Sequence, residues 1–177
     1  MIALDATRQR MLEDIQASPE LLRTSLTDPA ESSGEQPEVR LLVRKTVPDD
    51  ILPALYLFLE RHCAGIPPER LGRDLLLPLK KAVGNAHKRG NLQDPQKKIL
   101  VEVVVTRIGI FLEVDDEGSG FDVEGTLALF RAGREYFTHH GSGFRKFTKA
   151  RSLISFDRGG SRFLLRFLRE DPRTHPL

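Results

Sequence analysis

Apolar positions in this chain recur at two different spacings, and the switches between them mark its elements. Val39-Arg40-Leu41-Leu42-Val43-Arg44-Lys45-Thr46-Val47 combines β-branched residues with partial alternation and stops at Pro48, which predicts a strand. Leu52, Leu55, Tyr56, Phe58 and Leu59 then recur at helical spacing. They predict a helix to about Ala64, capped by Asp49 or Asp50, with Pro53 tolerated in its first turn and Gly65 as its stop. A second helix is predicted from Pro67 or Pro68 to about Arg89, its buried face made of Leu75, Leu76, Leu79, Ala82, Val83 and Ala86. Pro78 inside it predicts a kink or break, and Gly90 a C-cap before a loop over residues 91–95. Strands are expected over residues 98–106 and 108–114, paired around residues 107–109, and again over 153–156 and 162–168, joined by Asp157-Arg158-Gly159-Gly160. Residues 121–140 show no clean period and read as a loop or lid carrying a helical piece, after which Gly141-Ser142-Gly143 opens a short helix to about Ala150. The order of elements predicts an α+β fold: a two-layer sandwich, with helices on one face of a mixed, mostly antiparallel sheet.

Residues 1–37 differ in character. Met11, Leu12 and Ile15 suggest a short helix and Leu21, Leu22 and Leu26 another, but residues 28–37 have almost nothing to bury and read as a linker. The expected organisation is an extension over 1–37, partly helical or disordered, one domain over 38–170, and a tail over 171–177. At 177 residues, the chain suits one domain with a real core plus that extension. The formal charge of +2 is spread along the chain, so nucleic acid is not implied. No apolar run is long enough to span a membrane and no secretory pattern opens the chain, which makes a cytoplasmic protein the expectation. Cys63 is the only cysteine; it follows an apolar helical run and is expected to be a buried core thiol.

Three polar motifs interrupt the apolar frame. Asp116-Glu117-Gly118-Ser119-Gly120-Phe121-Asp122 follows a strand, placing a fixed acceptor beside backbone that can approach a flat ligand closely. Asn85 lies within an apolar helix between the small residues Gly84 and Ala86, where its amide faces either water or a ligand. Gly141-Ser142-Gly143 stands at a helix start, where unpaired N–H groups favour phosphate. Each signal is weak alone. Acid-glycine turns close many hairpins, and glycine pairs at helix starts are common.

Their order is more specific. An asparagine on a helix, a strand hairpin, Asp-x-Gly-x-Gly, a lid and then Gly-x-Gly resembles the ATP-binding domain shared by gyrase, heat-shock chaperones of the ninety-kilodalton class, sensor histidine kinases and mismatch-repair ATPases. Within that superfamily, Val83-Gly84-Asn85-Ala86, Arg89-Gly90-Asn91-Leu92, Asp94-Pro95, Lys97-Lys98 and Val114 to Asp122 resemble the small anti-sigma-factor serine kinases of bacteria. The resemblance covers about residues 38–169 and implies the Bergerat, or histidine kinase-like, fold. It also implies ATP or ADP with Mg²⁺. Asn85 would hold the metal, Asp116 would accept the adenine amino group, and Gly118 and Gly120 would let the backbone pass the base. Gly141, Ser142 and Gly143 would cradle phosphate, and Ser161 would reach the adenine edge.

Two departures qualify what the resemblance implies. The family's general base, a glutamate one turn before the asparagine, is replaced here by Lys81, and an ammonium cannot accept a proton. The helix after Gly143 reads Phe144-Arg145-Lys146-Phe147-Thr148-Lys149-Ala150-Arg151 in place of a leucine-rich face. His139 and His140 are given no role. The expectation is therefore an ATP- or ADP-binding regulator of the anti-sigma type, without a catalytic residue of its own. Its partner would be a sigma factor or a small antagonist (anti-anti-sigma) protein, and a homodimer stays open. Two alternatives remain: an active kinase that phosphorylates the antagonist on serine, and a scaffold that binds no nucleotide.

Overall fold

The structure, a computed structural model, describes residues 2–16, 38–132 and 142–170. The expectations for residues 17–37, for His139, His140 and Gly141, and for the tail from residue 171 lie outside that set. Among the described residues no helix is long and apolar enough to cross a membrane.

The fold is α+β. Helix α1 (Arg8–Asp14) precedes strand β1 (Val39–Lys45) and helix α2 (Pro48–His62). A composite helix then runs from Pro68 to Gly90: α3 (Pro68–Leu71), a wide π-helical turn (Gly72–Leu76), α4 (Leu77–Asn85) and a second wide turn (Ala86–Gly90). Strands β2 (Ile99–Val105) and β3 (Gly109–Asp116) lead into α5 (Val123–Arg131). Helix α6 (Ser142–Lys149) and the hairpin of β4 (Leu153–Asp157) and β5 (Arg162–Leu168) close the domain. The sheet order is β1-β2-β3-β5-β4, with every neighbouring pair antiparallel. Its mixed character enters at one described point, where Ile2 bridges Ile154 in parallel and the Ala3 N–H donates to the Ile154 carbonyl at 2.9 Å.

Strand periodicity divides the side chains of the sheet between its two faces. Val101, Val103, Ile110, Leu112, Val114, Leu165 and Phe167 point to the helical layer and pack with Ile51, Leu55 and Leu59 of α2 and with Leu75, Leu79 and Val83 of the composite helix. Ile51, Leu55 and Leu75 are fully buried, each contributing roughly 1.5–3 kcal/mol of burial. The other face carries Val104, Phe111 and Leu164, which Met11 and Leu12 of α1 and Ile15 just after it cover. The start of the chain is thus part of the fold, a short third layer on the side away from the main helices. Thr7 caps α1, and Thr106 Oγ1 donates to the Ile15 carbonyl at 2.7 Å.

That outer face also holds a charge problem and its solution. Glu102 and Glu113 stand directly opposite each other in the β2–β3 register, where like charges repel. Arg8 of α1 reaches both carboxylates at 2.6 Å, Arg40 adds a contact to Glu102 at 3.1 Å, and Arg162 one to Glu113 at 3.1 Å. Burial still pushes the Glu113 carboxyl above its ordinary value, with Arg162 and Arg8 opposing the shift.

Pro78 does not break its helix. Proline offers no N–H to the carbonyl of residue 74, and that carbonyl instead accepts a hydrogen bond from Ser152 Oγ at 2.6 Å. The turn before it widens, the Leu77 N–H donating back to Gly72. The Asp74 side chain is buried as well. Desolvation pushes its carboxyl up, but the bidentate Arg73 and the Arg151 N–H outweigh that and hold it below its usual value. The capping expectation for α2 is corrected: Pro48 itself begins the helix and Val47 is the cap, so Asp49 and Asp50 lie in the first turn, where they complement the helix dipole. Cys63 is a buried thiol as expected, its pKa pushed up to about 11 by desolvation, with Arg169 opposing.

Candidate functional site

The site forms where the composite helix crosses the end of β3. Asn91, immediately after the second wide turn, is almost fully buried. Its Nδ2 donates to the Lys98 carbonyl at 2.9 Å, and its Oδ1 accepts from the Glu117 N–H at 2.8 Å. One side chain thus ties the helix end to the start of β2 and to the turn after β3. Asp115 and Asp116 then diverge to opposite faces. Asp115 meets Arg158 at 2.7 Å and Arg162 at 3.0 Å, whereas Asp116 turns toward the helical layer.

Asp116 sits in a seat made by absent side chains. A Cβ on Gly90 would lie 2.2 Å from its Cγ, and a Cβ on Gly118 would lie 2.2 Å from the Gly90 carbonyl. Gly118 closes the seat by donating its N–H to Asp116 Oδ1 at 2.9 Å. Burial pushes the Asp116 carboxyl above its ordinary value and neighbouring Asp115 adds to the shift, while the Gly118 N–H, Lys97 and Arg158 oppose it. Gly120, at φ +74°, brings the loop against Gly159, whose carbonyl a Cβ would strike at 2.0 Å. In this structure both glycines of the acidic turn make room for the protein's own backbone.

A pocket of about 220 Å³ opens beside Asp116. The composite helix supplies one wall through Lys81, Ala82, Asn85, Ala86, Arg89 and Gly90. The opposite walls are aromatic: Phe121, Phe144, Phe147, Phe156 and Phe163. Phe156 stacks on Phe144 at 5.7 Å between centroids and meets Phe121 edge-on at 5.4 Å, and Phe147 lies 5.0 Å from Phe163. Such a cage offers π faces and ring edges to a flat heteroaromatic group. Asp122 lines the rim while capping α5, its Oδ1 accepting from the Gly125 N–H at 2.9 Å.

The pocket therefore gathers Lys81, Asn85, Asp116, Gly120 and Ser161 from the sequence motifs, with Gly118 buttressing Asp116 from behind. Ser161 is buried just before β5; its Oγ donates to the Arg158 carbonyl at 3.1 Å, and its own carbonyl accepts from the Asp116 N–H at 3.1 Å. Ser142 and Gly143 begin α6, which brings Phe144 to the pocket, and Gly141 lies outside the described residues. The phenylalanine cage and Thr126 were not singled out from the sequence, and Arg89 and Asn91 were quoted only within the motif Arg89-Gly90-Asn91-Leu92, without a role. Alternating Phe156 and Phe163 on two paired strands was the available signal for part of the cage.

The residues present fit an adenine-bearing ligand: one carboxylate acceptor at the end of an aromatic slot. They fit a Mg²⁺ ion poorly. Magnesium is held through one or two carboxylates along with phosphates and waters. The pocket's described carboxylates are Asp116, turned onto Gly118, and Asp122, engaged at a helix cap, while Asn85 supplies the lone amide oxygen beside two cations. No group of three or more acidic, histidine or cysteine side chains suited to a metal occurs among the described residues. No protein-family model matches the chain, and no curated protein matches it either.

Proposed function

We propose that this chain is an adenine-nucleotide-binding regulatory domain of the Bergerat type. It would act as anti-sigma regulators do, by binding a protein partner in a nucleotide-dependent way in the cytoplasm. The observation that carries the reading is the half-buried Asp116 carboxylate, seated against Gly90 and Gly118 at the end of a phenylalanine cage. A carboxylate accepts from the exocyclic amino group of adenine and has nothing to give the oxo group of guanine, so it selects the base.

Binding is favoured over phosphoryl transfer by the wall opposite. Lys81 occupies the pocket one turn before Asn85, and the described pocket carboxylates are the two already engaged. A general base must be unprotonated and within reach of the attacking hydroxyl. The candidate partners are those the family resemblance implies: a sigma factor, or a small anti-anti-sigma protein that antagonises regulators of this type.

Purified protein incubated with labelled ATP, with and without a candidate antagonist, tests the reading alongside Asn85→Ala and Asp116→Asn. Saturable binding that both variants weaken, with no label on protein, is the expected result. Transfer of label to an antagonist serine would establish the kinase instead. Absence of binding would leave a partner scaffold.

A further inference from the structure

The pocket wall formed by the composite helix carries a line of polar groups. Lys81, Asn85 and Arg89 follow at four-residue steps, and all three line the cavity, separated by Ala82 and Ala86, whose small side chains leave the wall low. The line ends at Gly90, against which the Asp116 carboxylate rests. Lys81 is nine residues from that end, roughly 13 Å at the rise of a helix. A ligand with its base on Asp116 and a polyphosphate tail lying along this wall would pass the guanidinium and the amide and reach the ammonium. Among the described residues, nothing on this wall bears negative charge.

Anionic tails are ordinarily neutralised either by a bound divalent cation or by protein cations. Here two protein cations line the wall on either side of Asn85, and the pocket's described carboxylates accept from the Gly118 and Gly125 N–H groups. An ammonium and a guanidinium on either side of Asn85 would also repel a divalent cation from its amide oxygen while attracting phosphate. We propose that this pocket takes its nucleotide without a divalent metal, with Lys81 and Arg89 contacting the phosphates directly. The proposal rests on the adenine-nucleotide reading above and adds to it what compensates the charge. Nucleotide would then enter and leave independently of Mg²⁺ concentration, and the number of phosphates would set affinity directly.

Calorimetric titration of the full chain with adenosine and ADP, in excess EDTA and again in millimolar Mg²⁺, is the test. ADP is expected to bind within about threefold as tightly in EDTA as in Mg²⁺, and at least about tenfold more tightly than adenosine in both. Lys81→Glu should weaken ADP in EDTA by about tenfold or more while leaving adenosine unchanged, and Lys81→Gln should fall between. Circular dichroism and thermal melting identify a variant that has not folded, in which case Lys81→Gln carries the comparison. ADP binding that needs Mg²⁺, or a Lys81→Glu variant equal to wild type in EDTA, overturns the metal-free proposal alone. Failure of both adenosine and ADP to bind in either condition overturns the nucleotide reading and this proposal with it.

Discussion

Replacing Asp116 by asparagine separates a functional carboxylate from a structural one, because the two roles predict opposite effects on stability. The amide is nearly isosteric and fits the seat that Gly90 and Gly118 leave. It exchanges one acceptor oxygen for a donor. If the new NH₂ faces Gly118, it opposes the backbone N–H that now donates to Asp116 Oδ1 at 2.9 Å; if it faces the pocket, it opposes the adenine amino group. Either orientation forfeits a hydrogen bond to a charged acceptor, about 1.5–3 kcal/mol, or a loss of about ten- to a hundredfold in ADP affinity. Stability should move the other way. Burial raises the folded pKa of Asp116 above 3.8, its ordinary value, so the native state binds this proton more tightly than the unfolded chain. By linkage, the ionised group opposes folding at neutral pH, and that cost fades as pH falls through the raised value. Asparagine removes the charge, so the melting temperature at pH 7 should be unchanged or higher while binding collapses. In wild type, ADP binding should also weaken as pH falls toward the raised value, where the acceptor is lost, and the variant should lack that dependence. Scanning fluorimetry and calorimetry on the same preparation measure both. A melting temperature several degrees below wild type, or ADP affinity within about threefold of it, would refute the assignment.

Gly90→Ala should abolish ADP binding as well, but with loss of stability, since its Cβ would lie 2.2 Å from Asp116 Cγ and the carboxylate must leave its seat. Arg8→Ala should lower stability by about 1–3 kcal/mol by chemical denaturation, below the full cost of breaking a buried pair because Arg40 and Arg162 remain on Glu102 and Glu113. Adding Glu102→Gln should restore part of it. The deficit of Arg8→Ala should narrow as pH falls through the raised pKa of Glu113, above 4.5, because a neutral carboxyl no longer needs the guanidinium. Ser152→Ala should cost about 1–3 kcal/mol by leaving the Asp74 carbonyl without its donor, with ADP affinity unchanged.

Strands β2, β3 and β5 were legible to within about two residues because burial on both faces produces continuous apolar runs bounded by turns. Elements set by long-range partners were less so. Residues 2–16 read as an extension, since what fixes them is Arg8 on Glu102 and Glu113, 94 and 105 positions away, and no local period records such a pair. Pro78 predicts a kink or break in the helix; the turn before it widens but the helix continues, because the carbonyl that loses its N–H is served by Ser152, 78 positions away. The polar residues of the site were visible as motifs. Its cage was not, because the phenylalanines arrive from the loop after β3, from α6, from β4 and from β5, and only the fold brings them together. Asn91 was legible as a loop residue and as part of the motif Arg89-Gly90-Asn91-Leu92, but its part in joining three backbone segments was not, since its neighbours in sequence do not reveal them.

The wide turn at Ala86–Gly90 explains how one helix serves both ends of the pocket. A four-residue step in a regular α-helix overshoots a full revolution by about 40°, so positions 81, 85 and 89 would drift progressively off one line. A π-helical turn takes more residues per revolution and removes that overshoot over its own span. The first step, Lys81 to Asn85, falls in regular helix, and the second, Asn85 to Arg89, falls almost entirely within the wide turn. Arg89 is thereby kept on the cavity side with Lys81 and Asn85, and Gly90 arrives against Asp116. Asn91 then locks the phase: its N–H donates to the Ala86 carbonyl at 2.7 Å, the bond that closes the wide turn, while its side chain holds the acidic loop. The separation between the carboxylate and the cations is thus set by the helix, and the orientation of both by one buried amide.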